Sequence, residues 1–143
     1  MWTLVQTAHV VARRFTQLFA EFGLTPTQFG VLAYLMDDEG LSQAELARRV
    51  LVRPQSMGEL LSVLTDRGLV RRDGPAGRGR RSGLKITTAG REVFQAALPR
   101  VAAFHGPEST GLTAQQLHTL ETLLQTLLQT QGTVVPDGPA GHR

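Results

Sequence analysis

A chain of 143 residues, 41% hydrophobic and 19% charged, has the size and composition of one soluble globular domain, so disorder is not the expectation. It contains no cysteine, so disulfide scaffolding, thiolate zinc sites and cysteine-based redox sensing are excluded. The net charge of +3 conceals a polarised molecule: residues 48 to 85 hold ten basic and three acidic side chains, a local +7, and the rest is net −4, which is the electrostatic footprint of a polyanion partner.

Residues 3 to 22 are expected to form the first helix, with Leu4, Ala8, Val11, Phe15, Leu18 and Phe22 on one stripe. Val5, Ala12 and Phe19 widen that stripe beyond what one packing surface needs, so this helix should touch two neighbours. No leader of basic then apolar residues opens the chain, and no run of about eighteen apolar residues occurs, so a cytoplasmic protein without a membrane span is expected.

Three later helix starts share one grammar: Gly23-Leu24-Thr25 with Gln28, Gly40-Leu41-Ser42 with Glu45, and Gly111-Leu112-Thr113 with Gln116. In each, the hydroxyl can cap the amide three residues on while Gln or Glu reaches back, and the glycine suits a left-handed turn before the helix. The preceding leucine and the Phe or Leu five residues later form a hydrophobic staple. The helix over 25 to 36 should bury Phe29, Leu32 and Leu35 or Met36; the helix over 42 to 50 offers Ala44, Ala47 and Val50.

Residues 51 to 53 then make a connection of helix-turn-helix length. The helix that follows starts at Pro54, which suits a first helical position, and carries Met57, Leu60, Leu61 and Leu64 on one inward stripe. Its outer face begins with Gln55, Ser56 and Glu59, preceded by Arg53, all able to bond base edges or phosphates. On an isolated helix these would be an ordinary solvated surface; the local charge argues otherwise.

Gly68 ends this helix. Short strands over 69 to 72 and 83 to 87 suggest a hairpin whose loop, 73 to 82, is glycine-rich and carries Arg78, Arg80 and Arg81. Thr87 or Thr88 caps a helix to about 104 with Phe94, Ala97, Leu98 and Val101 inward, and Pro99 should bend it near 95 to 99. A last helix, 114 to 130, carries Leu117, Leu120, Leu123, Leu124, Leu127 and Leu128 on a broad face, and 132 to 143 reads as a loose tail.

The expected fold is therefore mainly α with a small β-hairpin. The first and the last two helices have wider apolar faces than a lobe of about sixty residues could cover, which marks an interface between two copies. His9, His105, His118 and His142 lack metal-ligand spacing, and no Gly-x-Ser-x-Gly elbow occurs, so neither a metal site nor a catalytic centre is expected and an enzyme is disfavoured. No cofactor is implied.

The order and spacing of Gly23-Leu24-Thr25 with Phe29, Leu41-Ser42 through Leu46-Ala47, Asp66-Arg67-Gly68-Leu69-Val70, and Leu84-Lys85-Ile86-Thr87 with Ala89-Gly90 resemble the MarR family of winged helix-turn-helix transcription regulators. The resemblance implies a homodimer that binds double-stranded DNA as a ligand-responsive repressor. Residues 1-22 and 91-131 would be dimerisation helices, 23-90 the DNA-binding lobe and 132-143 a flexible tail. By position, Gln55, Ser56, Gly58 and Glu59 would read the major groove with Arg53 at the helix entrance. Glu59, where many relatives carry a basic or small polar residue, either accepts from cytosine N4 or stays off the DNA. Arg80 falls at the family's wing arginine, yet Arg78 replaces the usual acid two positions before it, leaving open which of Arg78, Arg80 and Arg81 enters the minor groove. The family also implies a small aromatic or phenolic effector. The alternative is a winged-helix protein-interaction module without DNA binding, which would call for a less basic wing and a more apolar outer face on residues 54 to 67.

Overall fold

The computed structural model describes residues 1–72 and 83–131. The expected hairpin loop, with Arg78, Arg80 and Arg81, and the expected tail at 132–143 lie outside them. The chain divides into two compact units, Met1–Val101 and Ala102–Arg143.

The first unit begins with α1 (Trp2–Ala20), α2 (Pro26–Asp37), α3 (Gln43–Arg49) and α4 (Pro54–Asp66). The two expected capping boxes here are present. Thr25 Oγ1 accepts from the Gln28 amide at 3.2 Å while Gln28 Oε1 accepts from the Thr25 amide at 2.9 Å. Ser42 and Glu45 make the same exchange, at 3.2 and 2.8 Å. Gly23 and Gly40, two residues before these caps, both adopt positive φ. Each box satisfies two amides that the first helical turn leaves without partners, so these helices start where the hydroxyls stand.

The antiparallel hairpin pairs β1 (Val70–Arg72) with β2 (Leu84–Ile86), Val70 opposite Ile86 and Arg72 opposite Leu84. Leu41 forms an additional antiparallel bridge to Leu84, with the Leu84 amide donating to the Leu41 carbonyl and the Gly40 amide to the Leu84 carbonyl, both at 3.0 Å. Gly83 makes that approach possible: a Cβ there would stand 2.3 Å from the Gly40 Cα.

Helix α5 (Thr88–His105) continues through Pro99 and crosses from the first unit into the second. Of the two threonines expected to cap it, Thr87 does so, accepting from the Gly90 amide at 3.1 Å; its hydroxyl also donates to the Gly68 carbonyl at 2.6 Å. The start of α5 is thereby tied to the end of α4.

Leu18, Phe19, Val31, Leu32, Leu35, Leu46, Met57, Leu61 and Leu64 form the centre of the core, each worth about 1.5–3 kcal/mol of burial. Phe15, Phe19, Phe29 and Phe94 stack in series, with centroid separations of 5.5, 4.4 and 4.9 Å, joining α1, α2 and α5. Two expectations need correction. Ala44 is exposed, because α3 turns Leu46 and Ala47 inward and a residue two before Leu46 lies on the opposite side. Leu98 is 43% exposed, outside the core that Ala97 enters. At the α1–α2 corner, Arg67 Nη1 donates to the Gly23 carbonyl at 2.5 Å, and Arg100 holds Glu21 through two hydrogen bonds of 2.8 and 3.2 Å. Hydrogen bonding to Glu21, then its charge, raises the Arg100 guanidinium above its ordinary value.

The second unit contains the end of α5, a short unexpected helix α6 (Pro107–Thr110), and α7 (Ala114–Gln131). The third capping box opens α7: Gln116 Oε1 accepts from the Thr113 amide at 2.9 Å and Thr113 Oγ1 from the Gln116 amide at 3.3 Å, after Gly111 at φ 70°. No residue of α7 is buried, and Leu120, Leu123, Leu124 and Leu128 are between 38% and 58% exposed. On α1, Trp2, Val5 and Val10 are likewise exposed. Among the described residues no helix is long and apolar enough to cross a membrane.

Candidate nucleic-acid interface

The α3–α4 pair is joined by a tight turn. Val50 closes α3, Leu51 takes φ 57°, the Val52 amide donates to the Ala47 carbonyl at 3.0 Å, and Arg53 is extended before Pro54. Leu51 is the one described non-glycine residue at positive φ, and it is 66% exposed. The left-handed region costs a leucine about 1–2 kcal/mol, while glycine returns part of the gain as about 0.4–1 kcal/mol of unfolded-chain entropy. Leu51→Gly is therefore expected to stabilise the protein by about 0.5 kcal/mol; a thermal melt showing a lower midpoint would contradict this strain at the turn.

Helix α4 separates two surfaces. Met57, Leu61 and Leu64 are buried, with Leu60 half-buried, while Gln55, Ser56 and Glu59 are exposed on the outer side and Arg53 stands exposed at the front. Among the described residues no side chain caps the first turn of α4, so its leading amides face outward with the positive end of the helix dipole. Gly58 is placed differently: a Cβ there would lie 3.2 Å from Gln43 Nε2, so this position faces α3. Toward the hairpin, a cleft of about 220 Å³ is lined by Gly58, Leu61, Ser62, Thr65, Asp66 and Arg72.

Arg48 and Arg53 are exposed, as are Arg71 and Arg72 on β1, where Val70 points inward. Arg49 pairs with Asp38 at 3.2 Å and lies 5.5 Å over the Tyr34 ring, and Arg67 is spent on the Gly23 carbonyl, so these two hold the fold together. Arg78, Arg80 and Arg81 lie outside the described residues. Residues the sequence did not single out are Gln43, whose amide reaches both α4 and Arg72, and Leu51. Gln43 was visible only as the first residue after a cap, with nothing local to mark its long-range bonds. Among the described residues no three His, Asp or Glu side chains come together as a cation site.

The MarR family model matches residues 22–82. The HTH-type transcriptional repressor Rv2887 of Mycobacterium tuberculosis is 32% identical over 126 residues, covering 88% of this chain and 91% of the relative. The crystal structure of that MarR family protein in complex with DNA superposes with a TM-score of 0.70 at 30% identity, over 88% of this chain and 94% of the other. Its complex with salicylic acid gives a TM-score of 0.70 at 32% identity, over 88% and 93%.

Proposed function

The chain belongs to the MarR family of transcription regulators, and from that premise we propose that it acts as a homodimeric repressor that reads a near-palindromic operator and responds to a small aromatic acid or phenol. The observation that carries the reading is the two-sidedness of α4: Met57, Leu61 and Leu64 anchor it, leaving Gln55, Ser56 and Glu59 on its outer face beside exposed Arg53. Gln55 and Ser56 contact base edges in the major groove, and Arg53 and the arginines of the hairpin loop, Arg78, Arg80 and Arg81, bind phosphate and the adjacent minor groove. Gly58 serves by what it leaves out, a point developed below. Residues 1-22 and 91-131 supply the dimer contacts, which the exposed apolar side chains of α1 and α7 and Leu98 on α5 support. The repressor role and the effector class are supported by the Mycobacterium tuberculosis relative, a repressor crystallised with DNA and with salicylic acid. The protein works in the cytoplasm, by binding and not by catalysis.

Selection of bound duplexes from random DNA tests this directly. The recovered site is expected to have two-fold symmetry with half-sites about 10 bp apart, log affinity should fall against log salt with a slope of roughly −0.9 per neutralised phosphate, and salicylate should weaken binding. No enrichment together with a flat salt response would overturn the DNA-binding reading; enrichment without any salicylate effect would remove the effector class alone.

A further inference from the structure

Gln43 is the first residue of α3, and its half-buried side chain meets two other elements. Oε1 accepts from Arg72 Nη2 at 3.0 Å, and Nε2 donates to the Pro54 carbonyl at 3.3 Å. The same Nε2 lies where a side chain at residue 58 would stand, 3.2 Å from an ideal Cβ. One planar amide therefore touches α4 at two positions a helical turn apart and also holds the last residue of β1. Only an amide offers a donor and an acceptor in fixed relation at this reach; a carboxylate would turn an oxygen against the Pro54 carbonyl, and an aliphatic chain would bond neither partner.

We propose that Gln43 is a positioning residue for DNA binding: it ties the hairpin strand to the front of α4, so that the recognition helix and the strand carrying Arg71 and Arg72 present themselves to the duplex in one fixed relation. Gly58 completes the device, being small so that the amide can lie against the helix. The inference rests on the DNA-binding reading above and adds to it a residue that touches neither base nor phosphate. Releasing Arg72 frees the end of β1 from α4 while the outer face of α4 keeps its own residues.

The test uses the full chain and the duplex recovered by selection. Gln43→Met is expected to weaken binding about tenfold and to make the salt slope shallower, because the basic strand meets fewer phosphates, while the ranking of base preferences persists. In a cycle with Arg72→Met, the double variant should lose little more than the worse single one. Gly58→Ala should also weaken binding, and adding it to Gln43→Ala should cost little more, because the amide it would displace is already gone. In the free protein, hydrogen exchange at Val70–Arg72 and Leu84–Ile86 should quicken in Gln43→Met, a readout that needs no DNA. Unchanged affinity and slope in Gln43→Met, additive losses with Arg72→Met, or unchanged exchange would each overturn the proposal. Failure of the parent protein to recover any duplex would instead overturn the DNA-binding reading, and the exchange measurement would still judge the clamp.

Discussion

Gly90→Ala is expected to destabilise the protein by about 3 kcal/mol, against the direction that helix propensity alone gives. Alanine in a helix is favoured over glycine by about 1 kcal/mol, and Gly90 lies in the first turn of α5. A Cβ at this position, however, would stand 2.2 Å from the Leu69 carbonyl oxygen and 2.8 Å from Ile86 Cγ1. The carbonyl cannot step aside, because it accepts from the Thr87 amide at 3.0 Å, and the neighbouring Gly68 carbonyl accepts from the Thr87 hydroxyl. Relief requires α5 to lift away, which loses both bonds at about 1 kcal/mol each and adds about 1–3 kcal/mol of overpacking. Because a domain of this kind holds only about 5–15 kcal/mol in reserve, the midpoint of urea unfolding should fall clearly. A midpoint equal to or above that of the parent would show that the close approach of α5 to the end of α4 is not what the structure describes.

Gln55→Ala should produce the largest change in sequence preference. A good side-chain pair to a base edge discriminates by about 1–3 kcal/mol. A two-fold dimer makes the contact twice, so the loss on a matched duplex should be about 2–6 kcal/mol, roughly 30-fold to 10⁴-fold, while binding to random duplex changes little. Anisotropy titrations on the selected site and on single-base variants read this directly. An equal loss on every duplex would reassign Gln55 to the phosphate backbone.

Features fixed by neighbours in sequence were readable before the structure. All three capping boxes and their preceding glycines need only a hydroxyl, an amide or carboxylate three residues on and a left-handed turn, and each stands where its residues announce it. The inward stripe of α4 followed from the same logic, as did the separation of Gln55, Ser56 and Glu59 onto its outer side. What escaped depends on contacts distant in sequence. The four-phenylalanine stack uses residues 15 to 94, the bridge from Leu41 to Leu84 spans 43 positions, and Gln43 reaches Arg72 across 29. Ala44 and Leu98 went astray because a short apolar pattern does not say which side of the helix the neighbours will cover. Leu51 carried no glycine to advertise its turn.

If the exposed leucines of α7 join two copies, as proposed above, they bear on how the regulator responds to its own abundance. While chains are scarce and largely single, the number of assembled readers grows with the square of the amount synthesised, so occupancy of a promoter rises as a threshold instead of in proportion. Where such a protein represses its own synthesis, that curvature would sharpen the level at which production shuts off, and a helix surface left largely exposed in one copy would set the set-point of the circuit.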